Sequence, residues 1–97
     1  MPRYILLMSL TNQGIKDIKN APARIEEGVK AWEAMGGKLV DFYTVMGEYD
    51  YVAIGEAPSD DVALSFVAAL GAGGNVRTKT LKAFTKEQFT EALKKVP

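Results

Sequence analysis

Two β-prone segments in the middle of the chain, Leu39–Met46 and Tyr49–Glu56, are separated by the dipeptide Gly47–Glu48. A glycine at the first central position of a two-residue loop is typical of a type II′ turn, which joins antiparallel strands tightly. Such a loop would pair Thr44 with Tyr51 across the ladder. This predicted hairpin constrains the fold most, because the remaining segments must be arranged around two antiparallel strands.

The segments on either side of the hairpin alternate between strand and helix patterns. Short apolar runs predict strands, whereas apolar residues at helical spacing between capping residues and glycines predict helices. In chain order, the predicted elements outside the hairpin are a strand Tyr4–Leu10, a helix from the cap Asn20 to Gly36–Gly37, a helix from the cap Ser59 to Gly71–Gly74, a strand Asn75–Phe84 and a last helix from the capping box Thr85/Gln88 to Val96.

The resulting order is strand, helix, strand, strand, helix, strand, helix. This order predicts an α+β fold, the β-α-β-β-α-β sandwich of ferredoxin-like domains, followed by a C-terminal helix. Right-handed crossovers place the two main helices on one face of a four-stranded antiparallel sheet. No linker or low-complexity tract interrupts the pattern, so residues 1–97 are predicted to form one domain.

Helices on one face leave the other face of the sheet bare. With a two-residue hairpin loop, four large side chains are predicted to share that bare face: Phe42, Met46, Tyr49 and Tyr51. A monomer rarely exposes so large an apolar surface. We therefore expect a homo-oligomer, a dimer or higher, in which two sheets face each other as a dimeric α/β barrel.

The composition excludes several classes of chemistry. The chain has no Cys and no His, which removes disulfides, thiol catalysis and the commonest metal ligand and general base. Its formal net charge is zero, so it lacks the basic excess typical of nucleic-acid binding. We expect no metal, no cofactor, no nucleic acid and no membrane partner, and a cytoplasmic location.

Six segments spread over the whole chain resemble the GYD-domain family, small bacterial and archaeal proteins named for a Gly-Tyr-Asp signature. They are Met1–Ile5, Thr11–Gly14, Gly36–Leu39, Met46–Asp50, Gly74–Thr78 and Leu81–Thr85. The resemblance implies a dimeric α/β barrel and implies no established activity. The stretch from Gly47 to Phe84 is also similar to the ligand-sensing domain of Lrp/AsnC-type regulators, which bind amino acids between subunits. The helix-turn-helix that those regulators use to bind DNA has no counterpart here.

Five residues are candidates for binding a ligand: Tyr43, Tyr49, Asp50, Tyr51 and Arg77. Aromatic rings can stack on a flat molecule, and Arg77 can hold a carboxylate through two hydrogen bonds. Structural roles compete with each of these. Asp50 can accept backbone donors near a turn, the tyrosines can belong to the core, and basic residues commonly protect an edge strand.

Three functions fit these observations. The first is a non-enzymatic oligomer that holds a small organic molecule in a cavity at or near the subunit interface. The second is a cofactor-free enzyme of the dimeric-barrel type, monooxygenase-like or isomerase-like. Without His it would depend on weak acid–base groups such as Asp50, Tyr43 or Tyr49. The third is a purely structural assembly unit. The absence of His favours the binding module.

Overall fold

The computed structural model describes residues 1–97 and has the predicted order of main elements. Its elements are β1 (Arg3–Leu10), α1 (Asn12–Lys16), a 3₁₀ turn (Ile18–Asn20), α2 (Ala21–Ala34), β2 (Lys38–Thr44), β3 (Tyr51–Glu56), α3 (Asp60–Gly73), β4 (Val76–Ala83) and α4 (Lys86–Leu93). The short α1 and the 3₁₀ turn lie between the first predicted strand and the first predicted long helix. No helix combines the length and the apolar character needed to cross a bilayer.

The four strands form one antiparallel sheet in the order β2-β3-β1-β4. α2 packs over β2 and α3 packs over β4. Both long helices cover the same face, because Trp32 of α2 and Phe66 of α3 join one core cluster with Leu6 of β1. This arrangement confirms the ferredoxin-like α+β fold. β2 bulges between Leu39 and Asp41, where its pairing with β3 shifts by one residue.

Two of the three predicted helix caps are confirmed. The Ser59 hydroxyl accepts the N–H of Val62 at the start of α3, and Thr85 forms a complete capping box with Gln88 at the start of α4. The predicted cap Asn20 is wrong, because its side chain makes no capping hydrogen bond and instead donates to Asp17. The 3₁₀ turn before α2 brings Asn20 into reach of that carboxylate.

The hairpin has the predicted register but a longer loop. Thr44 pairs with Tyr51, and the N–H of Val45 donates to the carbonyl of Asp50 at 2.9 Å. The chain then leaves the ladder over residues 46–49, so the predicted two-residue turn is wrong. Gly47 has φ +113°, a conformation that side chains other than hydrogen rarely adopt.

The prediction of the bare face is wrong in part, because Phe42 and Tyr51 face the helices. Tyr51 and Ala53 pair with Met8 and Leu6 of β1, and this row of side chains lies under α2 and α3. The opposite face, called the open face below, is centred on four apolar residues of β1 and β3 that alternate with that row: Ile5, Leu7, Val52 and Ile54.

Trp32 of α2 explains which face is covered. Its ring lies so close to the sheet that a Cβ on Gly55 would come within 3.1 Å of its Nε1 atom. Its Nε1–H donates to the carbonyl of Lys38, and its ring meets that of Phe66 on α3 edge-on at 4.9 Å. Only the face of β3 that carries small residues, Ala53 and Gly55, leaves room for this indole. Trp32 is therefore a core residue.

A hydrogen-bonded group ties α3 to β1 and β4. The hydroxyl of Tyr4 donates to Oδ1 of Asp60, and Nζ of Lys82 donates to Oδ2 of the same carboxylate at 2.9 Å. Burial, together with the bond to Asp60, raises the pKa of Tyr4 to about 12. The hydrogen bonds from Tyr4 and Lys82 lower the pKa of Asp60 below its usual value.

A lowered pKa in the folded state makes Asp60 a stabilising group only while it is ionised. Its contribution is complete above the ordinary pKa of about 4 and is lost as the pH falls through the lowered value. We predict that Asp60→Asn lowers the melting temperature at neutral pH and lowers it less as the pH approaches about 2. Asp61→Asn, in the same first turn of α3, is the matched control. Equal effects of the two variants across the whole pH range would contradict this role for Asp60.

Candidate functional site

A large cleft lies between α2 and α3, with the sheet as its floor. Its volume is about 410 Å³, within the usual size range of small-molecule sites, and 17 of its 23 lining residues are hydrophobic. The floor comes from β1 and β3, including Tyr51, and the rims come from the facing sides of the helices. Gly28 and Ala31 line the cleft from α2, and Ala69 and Gly73 line it from α3. Small residues on both rims keep this α2/α3 cleft open.

The charged side chains that line the cleft are Arg24 and Glu27, both on the α2 rim. Arg24 is held in place by hydrogen bonds to the carboxylate and carbonyl of Asp17 and to the carbonyl of Gly14. Gly14 in turn contacts Asn75, which also lines the cleft. One end of an otherwise apolar cleft therefore presents a fixed guanidinium and an amide.

The five candidate residues from the sequence do not form one site. Tyr51 lines the α2/α3 cleft, and its ring is tilted against Phe42 at 5.5 Å. Tyr43 and Arg77 are exposed on the open face, on the outer strands β2 and β4. Tyr49 lies in the hairpin loop, with Nζ of Lys79 5.8 Å from the centre of its ring.

The hydroxyl of Tyr43 has a hydrogen-bond partner on the same strand. This hydroxyl donates to Oδ2 of Asp41 at 2.6 Å, and the hydrogen bond raises the pKa of Tyr43. Arg77 pairs in register with Ser9 of β1, which places it at the outer edge of the open face. No group of three or more His, Cys, Asp or Glu side chains in the structure could hold a metal ion.

Asp50 connects the hairpin to the end of β1. Its Oδ2 atom accepts the backbone N–H of Leu10 at 2.8 Å, and its own N–H donates to the carbonyl of Met8 at 2.9 Å. The backbone donor belongs to the neighbouring strand rather than to the turn itself. This contact favours the structural interpretation of Asp50 over a role as a ligand anchor.

Two other motif segments meet near the same end of β1. The hydroxyl of Thr11 donates to the carbonyl of Gly74, and the Gln13 amide donates to Gly73 and Asn75. A Cβ on Gly14 would lie only 2.2 Å from the carbonyl oxygen of Asn75, so only glycine fits there. These motif residues hold the ends of β1 and α3 together, and they border the polar end of the cleft.

Sequence reasoning missed the cleft and its rims. Arg24, Gly28 and Asn75 were not candidates, because none lies in a recognisable ligand-binding motif. Gly28 did carry a signal, since a glycine inside an amphipathic helix costs about 1 kcal/mol relative to alanine. The many alanines and glycines of α3 were a second indication of a helix face with little side-chain bulk. Both features mark the rims of the cleft.

Comparison with known sequences places the chain in a family. The model of the GYD domain matches residues 4–93. A protein of Thermus thermophilus described as a glutamine synthetase and cystathionine beta-lyase binding protein is 33% identical over 95 residues, which is 97% of this chain and 100% of that protein.

Comparison with solved structures supports the fold. A feast or famine regulatory protein from M. tuberculosis, solved with L-methionine, has a TM-score of 0.66 at 19% identity over 89% of this chain. A leucine response regulatory protein from Mycobacterium tuberculosis has a TM-score of 0.65 at 19% identity over 88% of the chain. The chain spans about half of each regulator, 52% and 51%. The resemblance to Lrp-type regulators is confirmed as a likeness of fold.

The contact between Asp50 and Leu10 gives a direct test of the structural interpretation. We predict that Asp50→Ala lowers the free energy of unfolding by about 1–3 kcal/mol, because the N–H of Leu10 loses its acceptor. Asp50→Asn keeps an acceptor oxygen and should be milder. Chemical denaturation of both variants measures the difference. If both variants were as stable as the parent, Asp50 would have no structural role and the ligand-anchoring interpretation would gain.

Proposed function

The chain belongs to the GYD domain family, and we propose that it is a non-enzymatic, oligomeric binding module for a small organic molecule. The observation that carries this proposal is the α2/α3 cleft, which is large enough for such a ligand and almost wholly apolar. The ligand would have an apolar body over Tyr51 and a polar end, such as a carboxylate, beside Arg24.

The composition of the cleft favours binding over reaction. Proton transfer requires an ionisable group at the reacting atom. The charged lining residues are Arg24, which is already held by Asp17 and Gly14, and Glu27, which lies exposed at the rim. A cofactor-free enzyme would therefore have few acid–base groups to use, and it remains the less favoured alternative.

The open face supports the oligomeric part of the proposal. Ile5, Leu7, Val52 and Ile54 form an apolar centre that no element of the same chain covers. Stacking this face on a second copy would bury the patch and produce the dimeric α/β barrel. Tyr43, Tyr49 and Arg77 would then lie at the margins of the subunit interface rather than in the cleft.

Docking on an enzyme is a second candidate function, favoured by the relative from Thermus thermophilus. That protein, matched over nearly its whole length, is described as binding glutamine synthetase and cystathionine beta-lyase. Purified forms of these two enzymes, taken from the organism that encodes this chain, are the direct probes. If this function applies, sedimentation velocity of this protein mixed with either enzyme should show a faster-sedimenting complex. If the protein and each enzyme sedimented as they do alone, docking on these enzymes would be excluded.

A pair of glycine variants tests the ligand site. A Cβ on Gly28 or on Gly71 would meet no atom within 4 Å, so either position accepts a side chain without a clash. Gly28 lines the cleft, whereas Gly71 lies on α3 outside it. We predict that Gly28→Leu weakens ligand binding about ten-fold or more, while Gly71→Leu leaves it unchanged. Both changes replace a helical glycine, so neither should destabilise the fold.

Native mass spectrometry of gently purified protein supplies the ligand and the subunit number together. We expect a multiple of the 10.6 kDa chain mass, with a retained small molecule, and L-methionine is the first compound to titrate if none is retained. The titration would use both glycine variants. Equal binding by Gly28→Leu and Gly71→Leu would place the ligand outside the cleft, and a monomer would contradict the oligomeric module.

A further inference from the structure

The two edges of the sheet differ in how well they are protected against pairing with another strand. β2 is interrupted by the bulge between Leu39 and Asp41, and bulges are a common device against edge-to-edge pairing. β4 has no such interruption, because its eight residues pair with β1 in one continuous register from Val76 to Ala83. No proline lies in β4, and no further strand pairs with it. Its outer edge is therefore a long, regular template for a fifth strand.

The outward backbone groups of β4 belong to alternate residues. The N–H of Thr11 donates to the carbonyl of Asn75, and these two residues lie opposite each other when the β1–β4 register is extended by one pair. Hydrogen-bonded and non-hydrogen-bonded pairs alternate along an antiparallel ladder, so the odd-numbered residues of β4 bond to β1. The N–H and carbonyl groups of Thr78, Thr80 and Lys82 consequently point away from the sheet.

A groove runs beside this edge on the helix-covered side of the sheet. It has a volume of about 240 Å³ and lies between β4 and α3. Thr80 and Lys82 line it from β4, and Ala63, Leu64 and Val67 line it from α3. Leu64 is 70% exposed, so one wall of the groove is an apolar side chain without a covering partner. A strand added to β4 would direct every second side chain into this α3/β4 groove.

The charges on the other side of β4 select the sequence of that strand. Arg77 and Lys79 lie on the open face and form no ion pair, and β4 contains no acidic residue. Two β4 strands paired edge to edge would therefore bring basic residues together with no opposite charge between them. Acidic side chains opposite Arg77 and Lys79 would form favourable cross-strand pairs. The alternate side chains of the same strand, directed towards Leu64, would be apolar.

We propose that β4 accepts an extended segment of another protein as a fifth, antiparallel strand, in which acidic residues alternate with apolar ones. The acidic residues face Arg77 and Lys79, and the apolar residues enter the α3/β4 groove. Main-chain hydrogen bonds to the outward groups of β4 supply affinity, and the two rows of side chains supply specificity. Stacking of the open face on a second copy covers side chains and leaves this backbone edge unpaired. The site is therefore independent of the ligand cleft and of the oligomer.

Hydrogen exchange with a synthetic peptide tests the site. The probe is a capped peptide of about eight residues, the length of β4, in which Glu alternates with Val. We expect it to slow the exchange of the amides of Thr78, Thr80 and Lys82, because each gains a main-chain acceptor. The same peptide with Lys in place of Glu should bind about ten-fold more weakly.

N-methylated forms of the Glu–Val peptide test the main-chain contact. In an antiparallel pair, residues directly opposite each other direct their side chains to the same face, so the Val residues are the ones whose N–H groups face β4. N-methylation of every Val should abolish the protection of the β4 amides. N-methylation of every Glu removes only donors on the far side of the peptide and should preserve the protection.

Changes in the chain itself separate the two parts of the recognition. Thr80→Pro removes one outward N–H without removing a bond to β1, whereas Thr80→Val keeps it, so only the proline variant should lose binding. Arg77→Glu combined with Lys79→Glu should reverse the preference, so that the Lys–Val peptide binds better.

Three results would overturn the proposal. The first is no protection of the three β4 amides at about 1 mM Glu–Val peptide. The second is equal binding of the two N-methylated peptides, which would place the peptide elsewhere on the surface. The third is protection of the same amides by raising the protein concentration alone, which would assign this edge to a second copy of the chain.

Discussion

A four-stranded sheet has two faces, and this chain supplies helices for only one of them. The central strands β1 and β3 carry apolar side chains on both faces, because residues alternate in direction along each strand. Leu6, Met8 and Tyr51 enter the core under α2 and α3, whereas Ile5, Leu7 and Val52 remain on the open face. This imbalance is the basis of the proposed oligomer.

Trp32 determines how the covered face is built, and through it the shape of the cleft. Its ring requires the small residues Ala53 and Gly55 below it and meets Phe66 beside it. α2 and α3 are bridged at this point, while the small residues along their rims leave the remaining space open. A close-packed interior would have few such voids, so the cleft is a specific feature that favours a bound molecule.

Much of the fold could be predicted from the sequence, because local patterns determine it. Ser59 and Thr85 mark helix starts through side-chain capping, and the hairpin register follows from the pattern around Gly47. The sequence did not predict which face of the sheet the helices cover, because β3 is apolar on both faces. The face that carries the large Tyr51 was predicted to be bare, whereas it is the covered one. The small residues beneath Trp32 determine which face is covered, and their contact with Trp32 exists only in the folded chain. The cleft was missed for the same reason, because its rims converge only in the folded chain.

The most direct test of this account measures whether the open face is covered in solution. Methyl NMR with a water-dissolved gadolinium chelate reports the access of solvent to each side chain. The account predicts that the methyl groups of Ile5, Leu7 and Ile54 are as well shielded as those of Leu6, which is 6% exposed in the single chain. The methyl groups of Leu64, which is 70% exposed on α3, should relax strongly. If the open-face methyl groups relaxed as strongly as those of Leu64, no second copy would cover the sheet, and the account would be contradicted.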